Sequence, residues 1–322
     1  MVHRSSRKSP RLSFLAGMLA GPALVILALA ATARYLPDSS IFQMVGRIAD
    51  SVAPHLLAFV FGLSLIVAIL GARWIASILI LGISAALLGH AWMHFQRTEP
   101  LAAGAPVHLR VLWFNMFGDN DLGTEEIVSG LSESNADVVV LAESERMLSR
   151  LDKLREEYPY QLGCTQRCQV LVLSRLPFEG ARQGRLSVMS PERYGRVVVR
   201  TEAGLVTVVG AHLNKPWFDE FSTDEAHRLA HRLEAVSGPV VMVGDMNAAP
   251  WSRRMVHLHM DTDLRFAPLP PATWPSIAGD YGVPIDNAMV GGGARFVTLE
   301  SWGQEMGSNH LGLLAEITLD QS

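Results

Sequence analysis

The chain has 322 residues, 49% of them hydrophobic and only 18% charged, with a mean hydropathy of +0.22. Its 27 Lys and Arg against 31 Asp and Glu give a formal charge of −4. That balance disfavours a general nucleic-acid binder, whose surface is basic.

The apolar excess lies at the N-terminus. No charge falls between Arg11 and Arg34, between Asp50 and Arg73, or between Arg73 and Arg97. Each interval holds about 22 residues, which as helix spans roughly 33 Å, the hydrocarbon thickness of a bilayer. Three such intervals argue against buried soluble helices, and a cleaved signal peptide would account for the first alone. Three transmembrane helices are therefore expected, making residues 1–97 an anchor whose partner is a lipid bilayer. Arg4, Arg7, Lys8 and Arg11 precede the first span, and the loop over 35–50 carries no positive bias. Arg73 is the single charge between the second and third spans. The positive-inside rule then puts the N-terminus and Arg73 in the cytoplasm. Three crossings place everything after Arg97 outside it, in the periplasm of an inner membrane if the source is bacterial. The spans hold almost no polar residue to line a transport path; His90, near a helix end, is the exception.

Residues 98–106, with Pro100, Gly104 and Pro106, read as a linker to one large domain over 107–322. From Arg97 onward, 20 Lys and Arg face 29 Asp and Glu, about −9. Short apolar runs separated by turn residues predict strands at His108–Asn115, Ala136–Glu143, Gln169–Ser174, Arg196–Arg200, Val206–His212 and Pro239–Gly244. Three more are expected at Ile285–Val290, Phe296–Leu299 and Leu313–Thr318. Helical spacing marks Thr124–Ser134 and Thr223–Val236. Many strands with few helices suggest two packed sheets flanked by helices, an α/β sandwich. Cys164 and Cys168 can close a small disulfide in an oxidising compartment. A metal site there lacks further ligands, and two free thiols in a turn remain the alternative.

Polar residues recur at the C-terminal ends of the apolar runs: Asn115, Glu143, His212 with Asn214, and Asp245 with Asn247. One polar strand end is uninformative, but strand ends in one sheet lie side by side, so these groups can converge on one rim. Such oxygen ligands suit Mg²⁺ or Mn²⁺.

Seven strings follow in order over His108–Ser322: Trp113-Phe114-Asn115, Leu141-Ala142-Glu143, Leu173-Ser174-Arg175-Leu176-Pro177, Gly210-Ala211-His212-Leu213-Asn214, Gly244-Asp245-Met246-Asn247, Pro284-Ile285-Asp286 and Gly307-Ser308-Asn309-His310. Together they resemble the motifs of the endonuclease/exonuclease/phosphatase superfamily, the DNase I-like proteins. The resemblance implies a four-layer α/β sandwich and a divalent-metal-dependent hydrolase acting on a phosphoester, whether nucleic acid, phospholipid headgroup or small molecule. It implies that Glu143 holds the Mg²⁺ or Mn²⁺ ion, with Asn115 and Asn309 beside it. Asp245 would orient or deprotonate the attacking water, Asn247 would hold a phosphoryl oxygen, and His212 would donate to the phosphate. His310, paired with Asp286, would act as charged donor or general acid. The chain departs from the pattern at Asn309, where the superfamily has an aspartate. Losing that charge makes a catalytically degenerate phosphate-binding module the alternative expectation.

Other residues are set aside. His227 and His231 are four apart on a predicted helix, but no Glu completes a zinc motif, so they are expected on a solvated face. His257 and His259 are expected in a surface loop. Trp217 and Phe218 are open between a substrate wall and a cap on the sandwich, and Tyr194 and Arg196 match a phosphate-contacting position loosely. No protein partner is implied.

Overall fold

The computed structural model describes residues 10–37, 42–120, 124–164, 169–187, 191–217 and 219–320. The chain divides into two compact units, Met1–His94 and Phe95–Ser322.

In the first unit, α1 (Pro10–Thr32), α2 (Gln43–Ser51), α3 (Ala53–Ile69) and α4 (Arg73–Phe95) form a small bundle. Both α1 and α4 are long and apolar enough to cross a membrane. Buried alanines of α1, Ala16, Ala20, Ala23 and Ala30, let helices approach closely, the usual route to packing where lipid removes the hydrophobic drive. The second uncharged interval holds one helix, α3, but the loop expected over 35–50 is largely helical too, as α2, and the pair counts as a third possible span. α2 and α3 meet at a 76° bend, because Pro54 opens α3; its missing N–H and its ring cannot continue the preceding turn. Asp50, expected in an outer loop, is instead buried together with Arg34, which bounds the first interval; Arg34 Nη2 is 3.5 Å from Asp50 Oδ1. On α2, Met44, Val45 and Ile48 point outward while Asp50 is covered. That inverted amphipathicity suits surroundings of lipid.

The second unit stacks two six-stranded sheets. One runs β11 (Ala294–Trp302), β12 (Gly312–Leu319), β1 (Leu109–Asn115), β2 (Val138–Ala142), β4 (Val170–Ser174), β3 (Tyr160–Leu162). The other runs β5 (Phe178–Gly184), β6 (Tyr194–Thr201), β7 (Gly204–His212), β8 (Val240–Asp245), β10 (Asp286–Gly291), β9 (Arg265–Phe266). Alternate residues explain the uninterrupted apolar runs. Val111, Trp113, Val138 and Val140 meet Val208, Val241 and Val243 between the sheets. Leu112, Phe114 and Leu141 face outward beneath Ile127 and Leu131 of α5 (Thr124–Glu133). Val209 and Met242 lie under Leu229 and Leu233 of α7 (Asp219–Glu234) and Met255 of α8 (Arg253–Thr262). Strands covered on both faces show no polar alternation. The result is a four-layer sandwich; a one-turn helix, α6 (Leu151–Leu154), and two short 3-10 helices, Glu145–Arg150 and Ser276–Tyr281, complete its elements.

Helix α8 corrects the loop expected around His257 and His259; His259 Nδ1 caps its end at Leu264 O, 2.8 Å away. The segment after α4 lies along sheet edges: Phe266 N donates to Arg97 O, Glu99 N to Phe266 O, and Ala102 N to Phe296 O. Cys164 is disulfide-bonded, and Cys168 lies outside the described residues.

Candidate active site

Strand pairing brings the strand-end residues to one rim. His212 ends β7 in register with Asp245, which ends β8, and Asp245 is in register with Asp286, which opens the antiparallel β10. From the other sheet, Asn115 ends β1 and Glu143 follows β2. Asn115 Nδ2 donates to Asp245 Oδ2 at 3.1 Å, so the two sheets are tied at this rim.

Each acidic group is positioned by named donors. The backbone N–H of Asn247 binds Asp245 Oδ1 at 2.8 Å, and Asn247 Nδ2 binds Leu213 O at 3.0 Å. Trp113 Nε1–H donates to Asp286 Oδ1 at 2.8 Å, and His310 Nδ1 stands 2.8 Å from Asp286 Oδ2. Ser308 Oγ donates to Asn115 O at 2.7 Å while accepting from the N–H of His310 at 3.0 Å. One atom each from Asp245, Asp286 and His310 lies within 4.8 Å of the others.

Burial, and then the charge of Asp286, lifts the Asp245 carboxyl to about 7, against His310 and the hydrogen bonds from Asn247 and Asn115. Burial works against the His310 imidazolium, but the charge and hydrogen bond of Asp286, with Asp245 and Glu143, outweigh it and lift His310 to about 9. His212 behaves oppositely. Burial, with the nearby cations Arg193, His310 and Lys215, holds it well below 6.5. Its Nε2, 3.8 Å from Glu143 Oε1 and 3.7 Å from Asp245 Oδ2, is therefore a neutral neighbour of both and not an ion-pair partner.

Glu143 remains part-exposed, accepting from the N–H of Gly118 at 3.1 Å. Asn309 Oδ1 is buried with no hydrogen-bond partner among the described residues, as a metal-facing oxygen would be before its ion binds. Asp286, by contrast, is engaged by Trp113 and His310 on both oxygens. With carboxylate and amide oxygens and no thiolate, the donor set fits a hard divalent cation.

The geometry adds one residue that the sequence reading passed over. Arg193, half-buried, donates from Nη1 to His212 O at 3.2 Å. Burial lowers its pKa, while Glu225, Asp245 and Glu143 oppose that; a guanidinium stays charged throughout. Its neighbour Tyr194 is buried instead, with Arg232 over its ring at 4.7 Å, and Arg196 lies two residues farther from the rim. The signal was a cation immediately before a strand whose partner ends in a motif histidine. Asn214 is clamped by Glu225, at 2.6 Å through its N–H and 2.9 Å through Nδ2. Trp217 is half-exposed beside Lys215, 5.6 Å from ring centre to Nζ, and Phe218 lies outside the described residues. His227 and His231 are exposed on α7.

The sequence profile of the Endonuclease/Exonuclease/phosphatase family matches residues 112–310. The chain belongs to this family. Its members are phosphoester hydrolases. The fold is shared with an endonuclease/exonuclease/phosphatase from Beutenbergia cavernae DSM 12333, at a TM-score of 0.51 and 18% identity over 66% of this chain and 72% of that one. D. rerio TDP2 complexed with single strand DNA product matches at 0.54 and 14% identity, over 65% and 98%. The human Nocturnin catalytic domain with bound sulfate anion matches at 0.52 and 15%, over 66% and 95%. No curated protein matches the chain.

Proposed function

We propose that the chain is a divalent-metal-dependent phosphoester hydrolase held at a membrane by its N-terminal helices, with the catalytic unit outside the cytoplasm. The observation that carries the reading is the convergence of Asp245 with His310, itself held by Asp286, within 4.8 Å at one rim. Both are pushed upward, to about 7 and about 9, so that between those values one is a carboxylate and the other an imidazolium, the states a base and an acid need.

In this reading Asp245 orients the attacking water and accepts its proton, with Asn115 and the Asn247 N–H fixing its two oxygens. His310, charged and held by Asp286, faces the developing negative charge and supplies a proton to the leaving oxygen. Asn247 holds a phosphoryl oxygen. Arg193 adds a fixed positive charge behind His212, whose neutral ring donates a hydrogen bond without repelling an incoming cation. Glu143, Asn309 and the amide of Asn115 would hold Mg²⁺ or Mn²⁺, which when bound neutralises phosphoryl oxygens and acidifies water.

The membrane reading rests on α1 and α4, on the bent pair α2–α3 as a third crossing between them, and on the basic residues before the first span. The test is full-length protein in lipid nanodiscs, assayed with Mg²⁺ or Mn²⁺ against phosphodiesters and phosphomonoesters, with chelator as control. Chelator-sensitive cleavage is expected. Cleavage that survives complete chelation overturns the metal-dependent reading, and silence on every substrate favours the degenerate binding module.

A further inference from the structure

Between β9 and β10 the chain runs through nineteen residues, Ala267 to Ile285, that carry one charge, Asp280. Soluble loops of this length are ordinarily polar. Here the apolar residues are on the outside: Leu269 is 80% exposed, Ile277 95%, Tyr281 87% and Trp274 40%. Exposed aliphatic and aromatic side chains gathered in one loop mark a surface that meets something apolar.

The base of this loop is built into the rim. The N–H of Asp286 donates to Thr273 Oγ1 at 3.1 Å, and Leu311 N donates to Thr273 O at 2.8 Å. Ser276 donates from its N–H to Asn309 O at 2.8 Å and from Oγ to Ser308 O at 2.7 Å. The loop is thus fastened to the residues on either side of the His310–Asp286 pair, with its apolar tip projecting from them. The residue immediately before the loop is fixed as well: Phe266 N donates to Arg97 O at 3.1 Å.

From these observations we infer that the apolar tip, Leu269 with Trp274, Ile277 and Tyr281, enters the bilayer that holds this chain's own helices, and that the site beside it takes the phosphoester of a membrane lipid. The substrate-class part rests on the hydrolase reading above; the insertion part does not. A lipid bilayer suits the tip's composition: Trp and Tyr favour the headgroup level, Ile and Leu lie deeper, and the near-absence of charge avoids a desolvation cost. A single strand of nucleic acid would call for basic groups beside the aromatics, and this loop has none. An amphiphile with its hydrocarbon against the tip has its phosphoester at the level of the rim to which the tip is fastened.

Two measurements separate the parts. Full-length Ile277→Cys and, as a control, Leu205→Cys would each be spin-labelled and reconstituted in vesicles of phosphatidylethanolamine and phosphatidylglycerol. Leu205 is exposed at the end of β7 opposite His212. The label at 277 is expected to be accessible to oxygen and shielded from an aqueous nickel chelate, and the label at 205 the reverse. Equal nickel accessibility at both overturns insertion, whatever the enzyme hydrolyses. The second measurement compares Ile277→Asp with wild type on lipid in vesicles and on a soluble nitrophenyl phosphodiester. A loss of tenfold or more confined to the lipid supports the substrate class. An equal loss on both, no loss on either, or a preference for single-stranded oligonucleotide unaffected by the substitution overturns it.

Discussion

His310 Nδ1 lies 2.8 Å from Asp286 Oδ2, and Trp113 binds the other oxygen of the same carboxylate from the core of the opposite sheet. The aspartate therefore has one available role, to hold the imidazole charged and oriented. Replacing Asp286 by Asn keeps the volume and removes the charge. In the Asp286→Asn variant the alkaline limb of the pH–rate profile, set by a histidine at about 9, should move toward 6.5. Turnover near pH 8 should fall by about a hundredfold, the scale of losing a general acid. An unmoved alkaline limb would show that another group sets it.

Asp245→Ala and His310→Ala should each lose roughly a hundredfold or more in rate while retaining the fold. Glu143→Ala should instead raise the Mg²⁺ concentration needed for half-maximal rate. Asn309→Asp adds a charge to the same oxygen set, so half-saturation should move to lower Mg²⁺. If Asn309→Asp leaves the metal titration superimposable on wild type, Asn309 does not face the ion.

Stability should also report the buried pair. His310 is raised in the folded state from 6.5 to about 9, so the stabilisation from its charge is complete below 6.5 and is lost as pH rises through about 9. Asp245 is raised from 3.8 to about 7, so its contribution is likewise lost with rising pH, chiefly below 7. With chelator present, the thermal midpoint of the detergent-solubilised chain should fall between pH 6.5 and 9, and fall less in His310→Gln. Parallel slopes in the two proteins would refute the assignment.

A methyl group at Gly244 would stand 2.1 Å from Ala211 O, a backbone atom of the adjoining strand that cannot turn aside. Gly244→Ala should therefore separate β7 from β8 and lower the thermal midpoint, by an amount corresponding to about 1–3 kcal/mol or more. Because Asp245 follows directly, activity should fall with it. A variant as stable as wild type would place the glycine elsewhere in the pairing.

Orientation is tested from the C-terminus. A reporter active only outside the cytoplasm, fused after Ser322, should be active, and one active only in the cytoplasm should be silent. The converse pattern would reverse the topology argued from Arg4, Arg7, Lys8 and Arg11.

Strands buried on both faces were legible because they are unbroken apolar runs with a polar residue at one end, as in Val240–Asp245. Edge elements were not. β5, Phe-Glu-Gly-Ala-Arg-Gln-Gly, is half solvent-facing and carries no apolar run. α8 buries little beyond Met255 and Leu258, so its two histidines and two arginines read as loop. At the rim, motif residues could be named from the sequence, but Arg193 belongs to no motif, and its place one residue before β6 gains meaning only once that strand is paired with β7. The burial of Asp50 against Arg34 likewise depends on a partner helix that local spacing does not encode, whereas the bend was written locally, in Pro54, which a count of charges passes over.

Glu143 and Asn247 both hold left-handed backbone conformations, with φ of 51° and 47°. Side chains are disfavoured there by about 1 kcal/mol or more, Glu more than Asn, and glycine is not. At these two points heat resistance and chemistry pull in opposite directions. A library selected only for survival of the fold at high temperature should accumulate Glu143→Gly, and Asn247→Gly more weakly, each more robust than its parent and each catalytically impaired, the first through its Mg²⁺ requirement. Thermal selection without any substrate would then mark out the rim by the residues it discards.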